Sequence, residues 1–352
     1  MPREKNKAMA QTNETAAPAR RILILYNAWS RHRRVKFSDY LSELAKLGAQ
    51  VEARTITRSF DFKALLADAA DFDCLVVAGG DGTVSGAAGA LQGTGVPILA
   101  YPGGTANLLA RNLGMPANPK ALAELTLNGK TLQADLGEIE YVRAPRRWRR
   151  FTKHGRAAGT FRTYFSIMAG CGFAARLMMQ AQPLKSKWGE AAYWLSAMWN
   201  FFPRRAKFRM TLDGKTLDVK GIGILIINFE KIQFNLKVVP QSFADDGKFD
   251  IVVVKSRSLF GLAPVIWGAL RQRLGLSRRD VPEVMETYRA TDVEIQSRPP
   301  LRLQCDGEVL KKASGFKIHM HPGAAVFVCG NREACQVTES KPQAARISGR
   351  NP

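Results

Sequence analysis

Strand-length apolar runs alternate with helix-patterned segments through the N-terminal part of the chain, and this alternation limits the fold more than any other feature. Ile22 to Tyr26 reads as a buried strand, followed by Phe37, Tyr40, Leu41, Leu44 and Leu47 at helical spacing and closed by Gly48. The pattern recurs with Val51 to Ile56, a helix from about Asp61 to Ala70, the strand Cys74 to Ala78, a helix after Thr83 and the strand Pro97 to Tyr101. Strands separated by helices predict an α/β domain whose parallel sheet is covered on both faces.

The character changes near Asp135. Beyond it lie apolar or alternating runs at Thr163 to Met168, Phe208 to Leu212, Ile222 to Asn228, Phe249 to Lys255, Val293 to Gln296, Leu301 to Cys305 and Val326 to Cys329. The pairs Asp213-Gly214, Asp246-Gly247 and Asp306-Gly307 punctuate them as turns. A β-sandwich domain is expected, interrupted by helices at about Gly189 to Phe201 and Leu259 to Leu274. The expected division is a disordered tail over 1–20, the α/β domain over 21–134, the sandwich over 135–333 and a second disordered tail over 334–352.

Composition narrows the partners. The formal charge is +22, from 52 Lys and Arg against 30 Asp and Glu, which favours polyanionic surfaces such as nucleic acid or an anionic bilayer. Five scattered cysteines without a CxxC pair, and four histidines not at zinc spacing, predict a reducing compartment and no structural zinc. His319 and His321 alternate along a predicted strand and read as packing or surface residues. Nothing near the N-terminus has the pattern of an export signal. The strongly apolar patch from Ala191 to Phe202 is shorter than the roughly 20 residues that span a bilayer. Any membrane contact is therefore expected to be peripheral.

Two loops carry the chemistry. Gly79-Gly80-Asp81-Gly82-Thr83 stands where a buried strand ends and a helix begins, and glycines there allow a phosphate close to the helix-start N–H groups. By itself this could be a tight turn. Pro102-Gly103-Gly104-Thr105-Ala106-Asn107 occupies the same position after the next strand, so both loops face one crevice at the carboxyl ends of the strands. Neither is a Walker A motif or a GxGxxG fingerprint.

In these loops, and in blocks further along, the sequence resembles the diacylglycerol kinase catalytic-domain superfamily, which also includes sphingosine and ceramide kinases and, more distantly, NAD kinases. After the two loops come Ala110-Arg111-Asn112-Leu113-Gly114, Asp135-Leu136-Gly137, Ala169-Gly170-Cys171-Gly172-Phe173, Asp245-Asp246-Gly247-Lys248-Phe249-Asp250 and Asp306-Gly307-Glu308, in family order. The resemblance implies a Rossmann-like three-layer nucleotide-binding domain joined to a β-sandwich, with ATP between them. It implies an ATP- and Mg²⁺-dependent lipid kinase that phosphorylates a hydroxyl of diacylglycerol or a related lipid.

Carried over residue by residue, Gly79, Gly80, Asp81, Gly82, Thr83, Val84, Ser85, Gly103, Gly104, Thr105 and Asn107 would bind ATP, with Asn27 and Thr57 lining the site. Asp246 would hold Mg²⁺ with backbone oxygens near Phe243 and Lys248. Asp306 and Glu308 would stand at the catalytic centre, either one serving as the base, with Asp81 as the rival or as organiser of metal-bound water. A hairpin turn with solvated charges would also explain Asp306-Gly307-Glu308. The chain departs from the family at Ser85-Gly86, where Asn-Glu is common, at Leu108 and Ala174, where Asp is common, and around Arg31, where a small Gly-containing loop is usual.

From Arg143 to Arg156 the chain holds seven Arg or Lys and no acid, including Arg146, Arg147, Trp148, Arg149 and Arg150. Basic residues beside aromatics suit the headgroup zone of an anionic leaflet, and would equally suit nucleic-acid phosphates or a solvated loop. A lipid substrate favours the leaflet, so the expected setting is cytoplasmic, on the inner face of the membrane, with no specific nucleic acid and with a homodimer left open. The aromatic cluster Trp188, Tyr193, Trp194, Trp199, Phe201 and Phe202 reads as helix packing or as a membrane-dipping face. The alternatives are a sphingoid-base or ceramide kinase, an NAD kinase, and a non-catalytic nucleotide-binding membrane protein.

Overall fold

The computed structural model describes residues 20–28, 35–57, 60–104, 106–143, 159–173, 175–176, 205–229, 231–232, 236–237, 243–255 and 285–331. The predicted tails apart from Arg20, the helices expected near 189–201 and 259–274, the aromatic cluster, Thr105, Arg31, Ala174 and Arg146 to Arg150 lie outside them.

The N-terminal lobe contains β1 (Arg21–Asn27), α1 (Phe37–Lys46), β2 (Gln50–Ile56), α2 (Phe62–Leu65), β3 (Cys74–Gly79), α3 (Asp81–Ala90), β4 (Pro97–Pro102), α4 (Leu108–Asn112) and α5 (Pro119–Asn128). Its strands are parallel in the order β2-β1-β3-β4. Along β1, Ile22 and Ile24 enter one core cluster and Leu23 and Leu25 another, so each face of the sheet has its own cover. Full burial of such a side chain contributes about 1.5–3 kcal/mol, which is why the run carries no polar residue.

The helix expected over Asp61 to Ala70 breaks. Asp61 caps α2 by accepting from the Lys63 N–H at 3.0 Å. Arg54 then donates to the Leu65 carbonyl at 2.6 Å and to both Asp68 oxygens, holding the chain out of the next turn. Only a single 3₁₀ turn, Ala69–Asp71, follows. α3 in turn starts at Asp81, earlier than expected, with Gly80 as its N-cap.

The second lobe holds β5 (Thr131–Val142), β6 (Thr160–Phe165), β7 (Met168–Gly172), β8 (Ala206–Leu212), β9 (Lys215–Gly221), β10 (Gly223–Ile227), β11 (Lys231–Ile232), β12 (Leu236–Lys237), β13 (Phe249–Val254), β14 (Met285–Ala290), β15 (Asp292–Cys305) and β16 (Glu308–Val328). The run expected from Thr163 to Met168 divides into β6 and β7 because its middle N–H groups turn to a buried carboxylate, described below. The expected runs at Val293 and Leu301 join as β15, with a register shift between Gln296 and Leu301. The run Val326 to Cys329 is the end of β16.

At Asp306 and Gly307, φ values of 42° and 85° form the two-residue hairpin that joins β15 to β16. β16 pairs with β15 and β5, and near its end Val326 and Phe327 lie parallel to β4. One strand thus runs from this hairpin into the N-terminal sheet.

Candidate active site

The carboxyl ends of β1 to β4 bring Asn27, Thr57, Gly79–Gly80 and Pro102–Gly103 to one edge, as Asn27 pairs with Ile56 and Gly79 with Pro102 in the ladder. The Asn27 amide donates to Thr83 Oγ1 at 3.1 Å, tying β1 to the first turn of α3. A Cβ on Gly79 would lie 2.8 Å from the Thr83 Cβ. One on Gly104 would lie 2.8 Å from the Gly80 Cα, so the two glycine loops touch and Gly104 has no room for a side chain. Asp81 Oδ1 accepts from the Leu109 N–H at 2.9 Å, and the Gly104 N–H donates to Asn107 Oδ1 at 2.6 Å. Asn107, at φ 49°, is buried, and its Nδ2 has no hydrogen-bond partner among the described residues.

Asp81 and Gly82 open α3, and first-turn N–H groups have no acceptor within their own helix. That leaves donors for phosphate oxygens. Val84 and Ser85, expected beside ATP, turn inward instead. Val84 joins the apolar core and its N–H bonds the Gly80 carbonyl, while Ser85 is fully buried.

Ser85 reaches Asp306. Its hydroxyl donates to Asp306 Oδ2 at 2.5 Å, Ser166 N–H donates to the same oxygen at 2.8 Å, and Ile167 and Met168 N–H donate to Oδ1 at 3.0 and 2.8 Å. Burial pushes the Asp306 carboxyl up to about 7 against the pull of these donors, with the Asp81 charge adding to the rise. Both oxygens are engaged inside the protein, and through them Asp306 holds the hairpin against α3 and the start of β7.

Glu308, two residues on, is placed differently. A Cβ on Gly82 would lie 2.6 Å from Glu308 Oε1, so the carboxylate rests on the first turn of α3. The residue keeps an exposed flank, while protein packed about its carboxyl raises its pKa by desolvation.

The Asp245-Asp246-Gly247 turn docks on Asp135, whose Oδ2 accepts from Gly247 N–H at 2.7 Å and whose Oδ1 accepts from Gly323 N–H at 2.8 Å. The Asn228 amide donates to the carbonyls of both Asp135 and Ser166, each at 2.8 Å. A continuous polar path thus joins the turn to the Asp306 cage and α3. Ser166 and Asn228 escape sequence reading because each lies in an apolar run, with partners far along the chain.

Asp246 accepts from the Lys248 N–H at 3.0 Å and pairs with Arg289. Among the described residues, no three His, Cys, Asp or Glu side chains are gathered for a metal. The turn still offers hard oxygen donors, and Asp245 Oδ2 is buried with no hydrogen-bond partner among the described residues. Phe243 and Lys248 flank this turn. His319 and His321 bond Asp292 and Glu138, each at 3.1 Å, and belong to no such group.

Comparison with known families assigns residues 21–139 to the diacylglycerol kinase catalytic domain and residues 167–329 to the YegS C-terminal NAD kinase beta sandwich-like domain. The chain belongs to the diacylglycerol kinase family of lipid kinases. It is 28% identical to a diacylglycerol kinase of Mycobacterium tuberculosis over 67% of this chain and 70% of that one. It is 27% identical to a diacylglycerol kinase of Bacillus subtilis over 82% of this chain and 90% of that one. In fold, it is similar to the crystal structure of a diacylglycerol kinase from Bacillus anthracis, with TM-score 0.61 at 18% identity, covering 90% of this chain and 98% of that one. In this lipid kinase, Leu108, which stands where the family resemblance led us to expect Asp, is buried in the apolar core. That position therefore adds no carboxylate to the site.

Proposed function

We propose that the protein transfers the γ-phosphoryl group of ATP to a hydroxyl of diacylglycerol or a related lipid at the cytoplasmic face of the membrane, with Mg²⁺. The observation that carries this reading is the contact of Glu308 with Gly82, which sets a basic oxygen beside a phosphate-type loop. The N–H groups of Asp81 and Gly82 bind phosphate oxygens, while Asn27, Thr57 and the loop from Gly103 to Asn107 shape the nucleotide crevice. Glu308 takes the proton from the acceptor hydroxyl, whose oxygen bonds to the γ-phosphorus as the bond to the ADP oxygen breaks. Its raised pKa improves its strength as a base. Asp306 and Ser85 position the hairpin and α3 against each other, and Asp81 positions the second loop.

Mg²⁺ suits the oxygens of the turn, with Asp246 and the carbonyls of Phe243 and Lys248 as its holders, and it would neutralise phosphate charge. The test is incubation with labelled ATP, Mg²⁺ and mixed micelles carrying diacylglycerol, monoacylglycerol, sphingosine or ceramide separately. A labelled lipid in the diacylglycerol arm, lost in Glu308→Ala, supports the reading. Label only in the sphingosine or ceramide arm moves the acceptor to a sphingoid base, and ATP binding with no labelled lipid would falsify the kinase assignment.

A further inference from the structure

The outer face of the second lobe carries ordered rows of charge. The strands β9, β8, β15, β16, β5 and β6 lie side by side, so directly opposed residues share one face. One row runs Thr216, Thr211, Glu294, Lys317, Glu140 and Arg162, and it is balanced. The two threonine hydroxyls are 3.0 Å apart, Lys317 pairs with Glu294 at 3.5 Å and Arg162 with Glu140 at 2.6 Å. In the next row, Arg209 opposes and pairs with Asp218 at 3.0 Å.

The third row breaks the rule. Lys220 opposes Lys207, and Lys207 opposes Arg298, giving three cations on three adjacent strands. All three are exposed, and none has an acidic partner among the described residues. Like charges directly opposed destabilise a sheet, so such a row costs the free protein stability. The row lines a broad open cleft of about 1070 Å³, which also takes in Arg143 and the 46% exposed side chain of Val142. Outward apolar and cationic groups side by side match an interface of hydrocarbon and phosphate.

The geometry points to this face as a docking surface for an anionic bilayer, with Lys220, Lys207 and Arg298 set among headgroup phosphates. It is separate from the site at Glu308, and it rests on the lipid-acceptor reading only for the choice of a bilayer as the polyanion. The lipid phosphates supply the counter-charge the sheet lacks, and the enzyme is held where its acceptor is dissolved.

The test compares co-sedimentation of the full-length protein with phosphatidylcholine vesicles and with vesicles that also contain phosphatidylglycerol. The variants are Lys207→Gln/Lys220→Gln/Arg298→Gln and a control that removes three exposed charges from the other lobe, Lys63→Gln/Lys120→Gln/Lys130→Gln. At about 1 kcal/mol per basic residue near the surface, each loss weakens partitioning about fivefold and the triple change about a hundredfold. The expected result is that loss on anionic vesicles alone, a smaller change in the control, and a thermal transition of the triple variant that is unchanged or higher. Equal loss in both variants, or none in the first, overturns the proposal. Loss of duplex RNA binding with vesicle binding intact overturns it in favour of a nucleic acid. Vesicle binding needs no turnover, so the docking face stands or falls separately from the kinase assay.

Discussion

Ser85 and Asp306, 221 positions apart in sequence, share a 2.5 Å hydrogen bond that fastens helix α3 to the β15–β16 hairpin. Both Asp306 oxygens are engaged within the protein, and their four donors come from two segments, α3 and the turn from β6 into β7. The carboxylate that faces the glycine loop is Glu308. The two acids of one Asp-Gly-Glu turn thus sit in different settings, one caged by donors and one against the glycine loop.

Replacing Asp306 by Asn keeps the size but turns an amide toward N–H groups that need an acceptor. We expect a loss of about 2–4 kcal/mol, read as a lower urea midpoint. The folded carboxyl is raised to about 7, so the folded state holds a proton that the unfolded chain releases at its ordinary carboxylate pKa. The Asp306 contribution to stability is therefore fully present below the unfolded pKa and falls as pH rises toward 7, by about 1.4 kcal/mol per pH unit at the steepest. The Asn variant lacks that slope, and a parallel slope in both proteins would assign the pH dependence to another group.

Glu308→Gln is expected to lower kcat by about 10²–10⁴ with ATP binding and thermal stability little changed. Because the working form is the ionised one, the parent's rate rises with pH through the Glu308 pKa, which burial has raised. Steady-state rates from mildly acid to neutral pH give both readings, and a Gln variant with parental kcat removes Glu308 as the base.

Gly82→Ala places a methyl group 2.6 Å from Glu308 Oε1, whereas a Cβ on Gly80 meets nothing within 4 Å. The first change should cut kcat at least tenfold by moving the carboxylate, about 1.4 kcal/mol in the barrier. Gly80→Ala should leave the fold intact. Gly104→Ala should raise the KM for ATP by parting the two loops. Equal kinetics for the Gly82 and Gly80 variants would contradict the placement of Glu308.

Arg289 neutralises Asp246 in the turn proposed to hold Mg²⁺. Arg289→Gln should therefore lower the Mg²⁺ concentration that gives half-maximal rate, measured in a Mg²⁺ titration at saturating ATP. A higher requirement would show that Arg289 supports the turn rather than competing for its carboxylate.

Much of the fold was legible because its signals are local. β1 and β3 read as buried strands from their own apolar residues, and the two glycine loops read as one crevice from their positions after consecutive strands. The helix expected through Asp61 to Ala70 failed because Arg54, on a neighbouring strand, takes up the Leu65 carbonyl. The break between β6 and β7 was equally hidden, since a carboxylate 139 positions from Ile167 claims its N–H. For the same reason, Asp306 and Glu308 looked alike in sequence and differ only once burial is known. Ser85 was expected at the nucleotide and lies in the cage instead.

β16 is both the partner of the hairpin strand and the neighbour of β4 in the parallel sheet. A fragment that stops before it would keep every residue of the glycine loops and still fail as a separate enzyme. It would lack Glu308, and it would leave the edge of β4 open to pair with another copy, a route to aggregation. β16 thus ties the two lobes strand to strand, beside the side-chain ties of α3 to Asp306 and Glu308, and cutting the chain ahead of it would undo both at once.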